Sequence, residues 1–142
     1  MNRNELRIII MTILYQISLY DNNKINYDVN DVIAENLKID NEFVNNIVMG
    51  VIDNKNYIDE VINKHLKDWT INRLGLTDQA ILRMGTFELL YTDTPEVVVI
   101  DEAIELAKKY SDDKVKNMIN GVLDKIYHEK CLKWHFYFYW NY

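Results

Sequence analysis

Residues 118–126 read MINGVLDKI, and the reading of Asn120-Gly121 inside them decides the fold. An Asn-Gly pair ordinarily marks a tight turn. The residues around it say otherwise. Val115, Met118, Ile119, Val122, Leu123 and Ile126 fall at i, i+3, i+4, i+7, i+8 and i+11, a helical stripe that crosses the pair without a break. The pair is therefore read within a helix, although glycine there costs about 1 kcal/mol against alanine. On a helical wheel Asn120 and Gly121 lie on opposite shoulders, each about 130° from the centre of the stripe. The expectation is that Gly121 admits another backbone closely and that Asn120 hydrogen-bonds across the opposite edge.

The same period extends outward. Residues 2–20 predict a helix with Leu6, Ile10, Ile13, Leu14 and Ile17 as its main stripe, and further apolar residues nearly all round mark it as buried and central. A second helix is expected from about Asp28 to Leu37. Asp40 or Asn41 is the expected N-cap of a third, carried by Phe43, Ile47, Val48, Val51 and Ile52. After a break at Asn54 and Asn56, the spacing of Ile58, Val61, Ile62, His65, Leu66 and Trp69 predicts a fourth. Thr77 or Asp78 is expected to cap a fifth, which runs through Ile81, Leu82, Met84, Phe87 and Leu90. Pro95 marks a stop and restart. A sixth helix over Val97–Tyr110 would turn Ile100, Ala103, Ile104 and Ala107 inward, and a seventh would run from Val115 to about Lys130. Val97–Ile100 alone resembles a buried strand, but no second strand candidate exists to pair with it. The fold class is all-α, about seven helices joined by short loops, without an internal repeat.

Composition agrees. Four glycines and one proline in 142 residues favour long helices over a turn-rich β-fold. The length suits one domain with one core. A formal net charge of −6 argues against general nucleic-acid affinity, so any such contact needs a local basic patch or a partner's charge. A single cysteine, Cys131, excludes an internal disulfide and fits a reducing cytoplasm. No secretory signal is evident, because Glu5 and Arg7 interrupt the N-terminus. Apolar runs such as Ile8–Met11 are far too short to span a bilayer.

No catalytic constellation, phosphate loop or cofactor motif stands out. Asp101, Glu102 and Glu105 could pair for acid–base work, but they read as the solvated side of an amphipathic helix. His128, Cys131 and His135 at i, i+3 and i+7 offer three metal ligands without a fourth, and no metal is expected there. Arg3 and Arg7 share one face of the first helix; they read either as solvated charges or as a small phosphate-contacting patch on its N-terminal turns. Tyr15 offers a ring that could stack on a base.

The order and spacing of several segments resemble the NusB family. They are LYQ at 14–16, GV at 50–51, YIDEVINKHLKDW at 57–69, NRLGLTDQAILRMGTFELLY at 72–91, TPEVVVIDEAIELAKKY at 94–110 and MINGVLDKI at 118–126. The resemblance covers residues 3 to about 127, and its specific part is the second half.

The resemblance implies a compact all-α protein of two small bundles without enzymatic activity, cofactor or small-molecule substrate. It implies a transcription antitermination factor that pairs with the ribosomal protein NusE. That pair binds boxA, a single-stranded RNA element of ribosomal RNA leader transcripts, within an RNA polymerase antitermination complex. The RNA-facing candidates are Arg3, Asn4, Arg7, Tyr15, Gln16 and Asp78. Trp69, Arg73, Asp78, Lys114 and Asn117 are the partner-facing ones. The family's arginine-rich N-terminus is reduced here to Arg3 and Arg7, which implies fewer phosphate contacts and a shallower salt dependence. Arg83 and Glu88 match family positions and suit buried pairing partners. Asp101 stands where the family commonly has Asn, and Met118 where Phe is common.

The chain also departs from the family pattern at its end. Seven of 17 aromatic residues fall in the last nine positions. Residues 1–130 are read as the helical domain, and 131–142 as an aromatic tail, either disordered or the product of translation past a natural end near Lys130. Two other readings compete. One is an RNA-guiding domain related to those of ribosomal RNA cytosine methyltransferases, which predicts an accompanying methyl-donor domain. The other is a helical adaptor that binds only protein.

Overall fold

The computed structural model describes residues 1–141, and of residues 134–141 the backbone alone. Among the described residues there are seven α-helices and no strand: α1 (Arg3–Asn22), α2 (Val29–Asn36), α3 (Glu42–Asp53), α4 (Lys55–Lys64), α5 (Leu76–Tyr91), α6 (Glu96–Tyr110) and α7 (Asp113–Asn141). A short 3₁₀ turn, Ile71–Arg73, precedes α5. No helix is long and apolar enough to cross a membrane among the described residues.

Side-chain caps set the early boundaries. Asn2 Oδ1 accepts from the Glu5 N–H at 2.9 Å, and Asp28 Oδ1 from the Asn30 N–H at 2.8 Å. Asn41, one of the two residues expected to cap α3, accepts from the Val44 N–H at 3.1 Å. Each satisfies an amide that has no partner within its helix. Asn54 both ends α3 and begins α4, so the two helices meet almost without a loop.

Three helices differ most from the sequence reading. The fourth helix stops at Lys64, because the chain turns there and Asp68 takes a left-handed conformation (φ 63°). Trp69 therefore lies outside α4 and is 55% exposed, while Leu66 and Ile71 continue the apolar periodicity by folding back into the core. The Asn63 side chain holds that return, accepting from the Ile71 N–H at 2.8 Å. The fifth helix begins at Leu76 behind Gly75, so neither Thr77 nor Asp78 is its cap. The seventh starts two residues early and runs on through the aromatic segment; the side chains of residues 134–142, on which most of the tail reading rests, lie outside those described.

The centre of the molecule is α5 rather than α1. Every residue from Gln79 to Leu89 is buried. Helices α1, α3 and α4 pack on it, as do α6 and α7, and α2 closes over α1. Such a helix must satisfy most of its polar side chains internally, and here the Thr86 hydroxyl alone of the buried side chains described is without a partner. Arg83 donates from Nε and Nη2 to the two Asp59 oxygens at 2.8 and 3.0 Å, and from Nη1 to Ser18 Oγ at 3.3 Å. Gln79 Nε2 donates to the Leu74 carbonyl at 2.9 Å. Glu88 receives Arg7, as described below. On α6 the inward residues are Val99, Ala103, Leu106 and Ala107, so the buried stripe is rotated from the expected one, and Ile100 and Ile104 sit at its edge.

The close approach expected at Gly121 is found at Gly50 instead. A Cβ on Gly50 of α3 would come within 3.0 Å of three atoms of the Phe87 ring on α5, so Gly50 is where two helices approach closely. A Cβ on Gly121 would meet nothing within 4 Å, which corrects the expectation of a close backbone there. Asn120 is exposed rather than bonded across the helix edge.

Candidate nucleic-acid interface

Arg7, expected beside Arg3 as a phosphate contact, is 3% exposed. Its Nε and Nη2 donate to Glu88 Oε1 and Oε2 at 3.0 and 2.8 Å. Glu88 is 2% exposed, so this is a desolvated fork-to-fork ion pair that joins α1 to α5. The geometry corrects the expectation: a guanidinium already bonded edge-on inside the core is not presented to a phosphate.

Arg3 is exposed, and its guanidinium carbon lies 4.0 Å from the Phe43 ring centroid. That contact holds the guanidinium plane over the ring and leaves its N–H edges open. With Asn46 and Thr94 it lines a groove between α1, α3 and the α5–α6 turn. Asn4, with its amide nitrogen turned to Glu102, donates to the two carboxylate oxygens at 2.8 and 2.9 Å and ties α1 to α6. Tyr15 is 38% exposed on α1. Gln16 accepts from Asn36 Nδ2 at 2.8 Å and so fastens α2. Asp78 accepts a hydrogen bond from Ser111 Oγ, which joins the first turn of α5 to the end of α6. The RNA-facing candidates thus divide: Arg3 and Tyr15 keep free surface, while Asn4, Gln16 and Asp78 each hold a neighbouring element.

Three partner-facing candidates are brought together. Trp69, Arg73 and Asn117 line one open groove of about 460 Å³. Lys67 and Lys125, which the sequence reading did not select, line it too, and Gly121 leaves one side without a side chain. No aspartate or glutamate lines it. A chain of net charge −6 therefore presents here a basic, acid-free surface beside an exposed indole. Lys114 is exposed on the first turn of α7, outside this lining.

His65 forms one end of the groove and is fixed by its bond to Glu129 Oε2, 2.7 Å from Nε2. The hydrogen bond from His65 holds the Glu129 carboxyl below the usual carboxylate range, with Lys64 and Lys133 adding to the effect. His128 is turned outward to Asp124 at 3.5 Å, and the His135 side chain lies outside the described residues. Among the described residues no group of three or more His, Cys, Asp or Glu is placed to hold a metal.

The family model described as the NusB family matches residues 4–128. The chain belongs to the NusB family. Its curated relatives include the transcription antitermination protein NusB of Staphylococcus haemolyticus, 44% identical over 127 residues, which span 89% of this chain and 99% of the relative. The same protein from Staphylococcus aureus is also 44% identical over 127 residues, covering 89% of this chain and 98% of the relative. Among solved structures, Thermotoga maritima NusB superposes with a TM-score of 0.82 at 32% identity, covering 91% of this chain and 92% of that one. A chain from the crystal structure of antitermination factors NusB and NusE in complex with dsRNA superposes with a TM-score of 0.78 at 28% identity, over 89% and 96% of the two chains. NusB membership places this chain among transcription antitermination proteins. It agrees with the all-α fold and with the pairing of Arg83 with Asp59 and of Glu88 with Arg7.

Proposed function

We propose that this NusB-family chain is a cytoplasmic, non-enzymatic transcription antitermination factor. In this reading it binds boxA, a single-stranded RNA in ribosomal RNA leader transcripts, together with the ribosomal protein NusE. The assembly then helps RNA polymerase resist premature termination. The observation that carries the reading is the acid-free groove of Trp69, Arg73, Lys67 and Lys125 in a protein whose family is antitermination NusB. Single-stranded RNA is held by cations along its backbone and by aromatic faces on which its bases stack, and the groove offers both. The solved relative in complex with NusE and dsRNA supports NusE and RNA as the two classes of partner.

Residues 1–130 are the binding domain in this reading and 131–142 an extension beyond it; the family match ends at residue 128. In this reading the main RNA contact lies in the groove rather than on the first turns of α1, with Arg3 as a separate phosphate contact. The test is a titration of the full chain, with and without NusE, against boxA RNA and a scrambled control. Preference for boxA, weakened by Trp69→Ala and by Arg73→Gln, is the expected outcome. Equal affinity for both RNAs in both settings overturns the reading.

A further inference from the structure

A second groove lies between α4, the end of α5 and α7. Its floor is apolar, and its rim carries Lys64, Lys130 and Lys133 against a single carboxylate, Glu129. Three lysines and one glutamate give it a net charge of +2 in a chain of −6. Tyr57, 48% exposed, lines it. Tyr91 stands close by, 46% exposed and stacked on Phe87 with ring centroids 5.2 Å apart, so its ring is held in place. Glu129, Lys130 and Lys133 lie past residue 128, where the family match ends, so the groove is completed by residues outside that match.

The two grooves meet. His65 lines the first, Glu129 lines the second, and a 2.7 Å bond joins the two residues. Lys64, next to His65, faces the same carboxylate at 4.0 Å, and Lys133 reaches it at 3.9 Å. Glu129 thus restrains two of the three lysines that a polyanion would otherwise meet. Cations interleaved with exposed aromatic rings suit a nucleic-acid strand, which carries one phosphate and one stackable face per nucleotide. They suit an acidic peptide less, since it gives the rings nothing to stack on.

We propose that the second groove carries the continuation of the RNA strand held in the first, with Tyr57 as the stacking face, Lys64 and Lys133 as phosphate contacts, and Glu129 as the restraint on both. The inference rests on the RNA reading of the first groove. The second groove is the smaller, about 170 Å³, and takes a short continuation of the strand.

The experiment compares a boxA-length RNA with the same RNA extended by a few uridines at its 5′ or its 3′ end, bound to the full chain with NusE present. One of the extended RNAs binds at least about five-fold more tightly, the low end for one stacked base, and with a salt slope steeper by about 0.7 for each added phosphate contact. Tyr57→Ala and Lys133→Gln abolish that gain and leave affinity for the short RNA unchanged, while Glu129→Gln enlarges it. Unchanged melting temperatures of the Tyr57→Ala and Lys133→Gln proteins exclude misfolding of those two variants. A gain absent at both ends, or one that survives in the Tyr57→Ala/Lys133→Gln double variant, overturns the inference, and so does a Lys133→Gln defect confined to NusE binding. Trp69→Ala keeps the two readings apart. If it weakens the short RNA while extension adds nothing, the second groove alone fails. If the wild type does not bind the short RNA, both fail.

Discussion

Replacing Arg7 with alanine separates a buried structural pair from an RNA contact. The Arg7–Glu88 pair is 3% and 2% exposed and bonded through both carboxylate oxygens. Removing the guanidinium leaves a carboxylate in the core without its counter-charge. Breaking one side of such a pair costs about 3–5 kcal/mol. At about 2.1 cal/mol/K per residue, a chain of this length unfolds with an entropy of roughly 0.3 kcal/mol/K, so the melting temperature falls by about 10–17 °C. Glu88→Gln strands the guanidinium instead and costs a similar amount. The double variant Arg7→Met/Glu88→Leu removes both charges and keeps most of the volume, and should recover much of the loss. Calorimetric melts of the four proteins compare these losses. Binding of boxA RNA to the double variant gives the functional answer, which should be wild-type affinity with an unchanged salt slope. If Arg7→Ala melts within about 2 °C of wild type and its salt slope falls by about 0.7 to 1, Arg7 is a phosphate contact and the reasoning is wrong.

Three further outcomes follow from particular contacts. Gly50→Ala drives a methyl group into the Phe87 ring, and overpacking of about 1–3 kcal/mol outweighs a helix gain of at most about 1 kcal/mol; a thermal melt should show destabilisation, and a raised midpoint would refute the contact. Gly121→Ala meets open space and should stabilise by up to about 1 kcal/mol, whereas Gly121→Leu should leave the melt intact yet weaken RNA binding by filling the groove; a destabilised Gly121→Ala protein would refute the open environment. Glu129 titrates below its usual range when folded, so its bond to His65 contributes stability above pH about 4.5 that is lost as pH falls through the lowered value. Denaturant midpoints of wild type and Glu129→Gln should converge below that point, and a gap independent of pH would exclude the linkage.

The helices were legible because caps and breakers are local. Asn2, Asp28, Asn41 and Pro95 mark boundaries within a residue or two of those observed. Pairings between distant segments were not legible. The resemblance suits Arg83 and Glu88 to buried pairing but does not name their partners; in the fold they are met by Asp59 and Arg7, 24 and 81 residues away, and α5 becomes the centre. The same long-range pairing took Arg7 out of the RNA-facing set, since spacing places it beside Arg3 but says nothing of Glu88. Trp69 kept helical time with Leu66 even though the helix had ended at Lys64, because a chain returning to the core also buries residues three or four apart. The groove was half legible. Trp69, Arg73 and Asn117 were candidates for the protein partner rather than for RNA, and their convergence with Lys67 and Lys125 needs three separate segments to meet.

The two glycines show why a local cost alone does not reveal its cause. Gly50 and Gly121 each sit within a helix, where glycine is unfavourable by about 1 kcal/mol. At Gly50 the compensation is inside the molecule, because α3 and Phe87 could not approach with a Cβ between them. At Gly121 no neighbour collects it, since a Cβ there would touch nothing. What the missing side chain leaves there is free surface in the groove that Trp69 and Arg73 line. A helix that gives up stability to keep a groove clear is consistent with a ligand entering it. Gly121→Leu is therefore the informative substitution, because an occupied groove predicts that stability and RNA affinity respond to it in different ways.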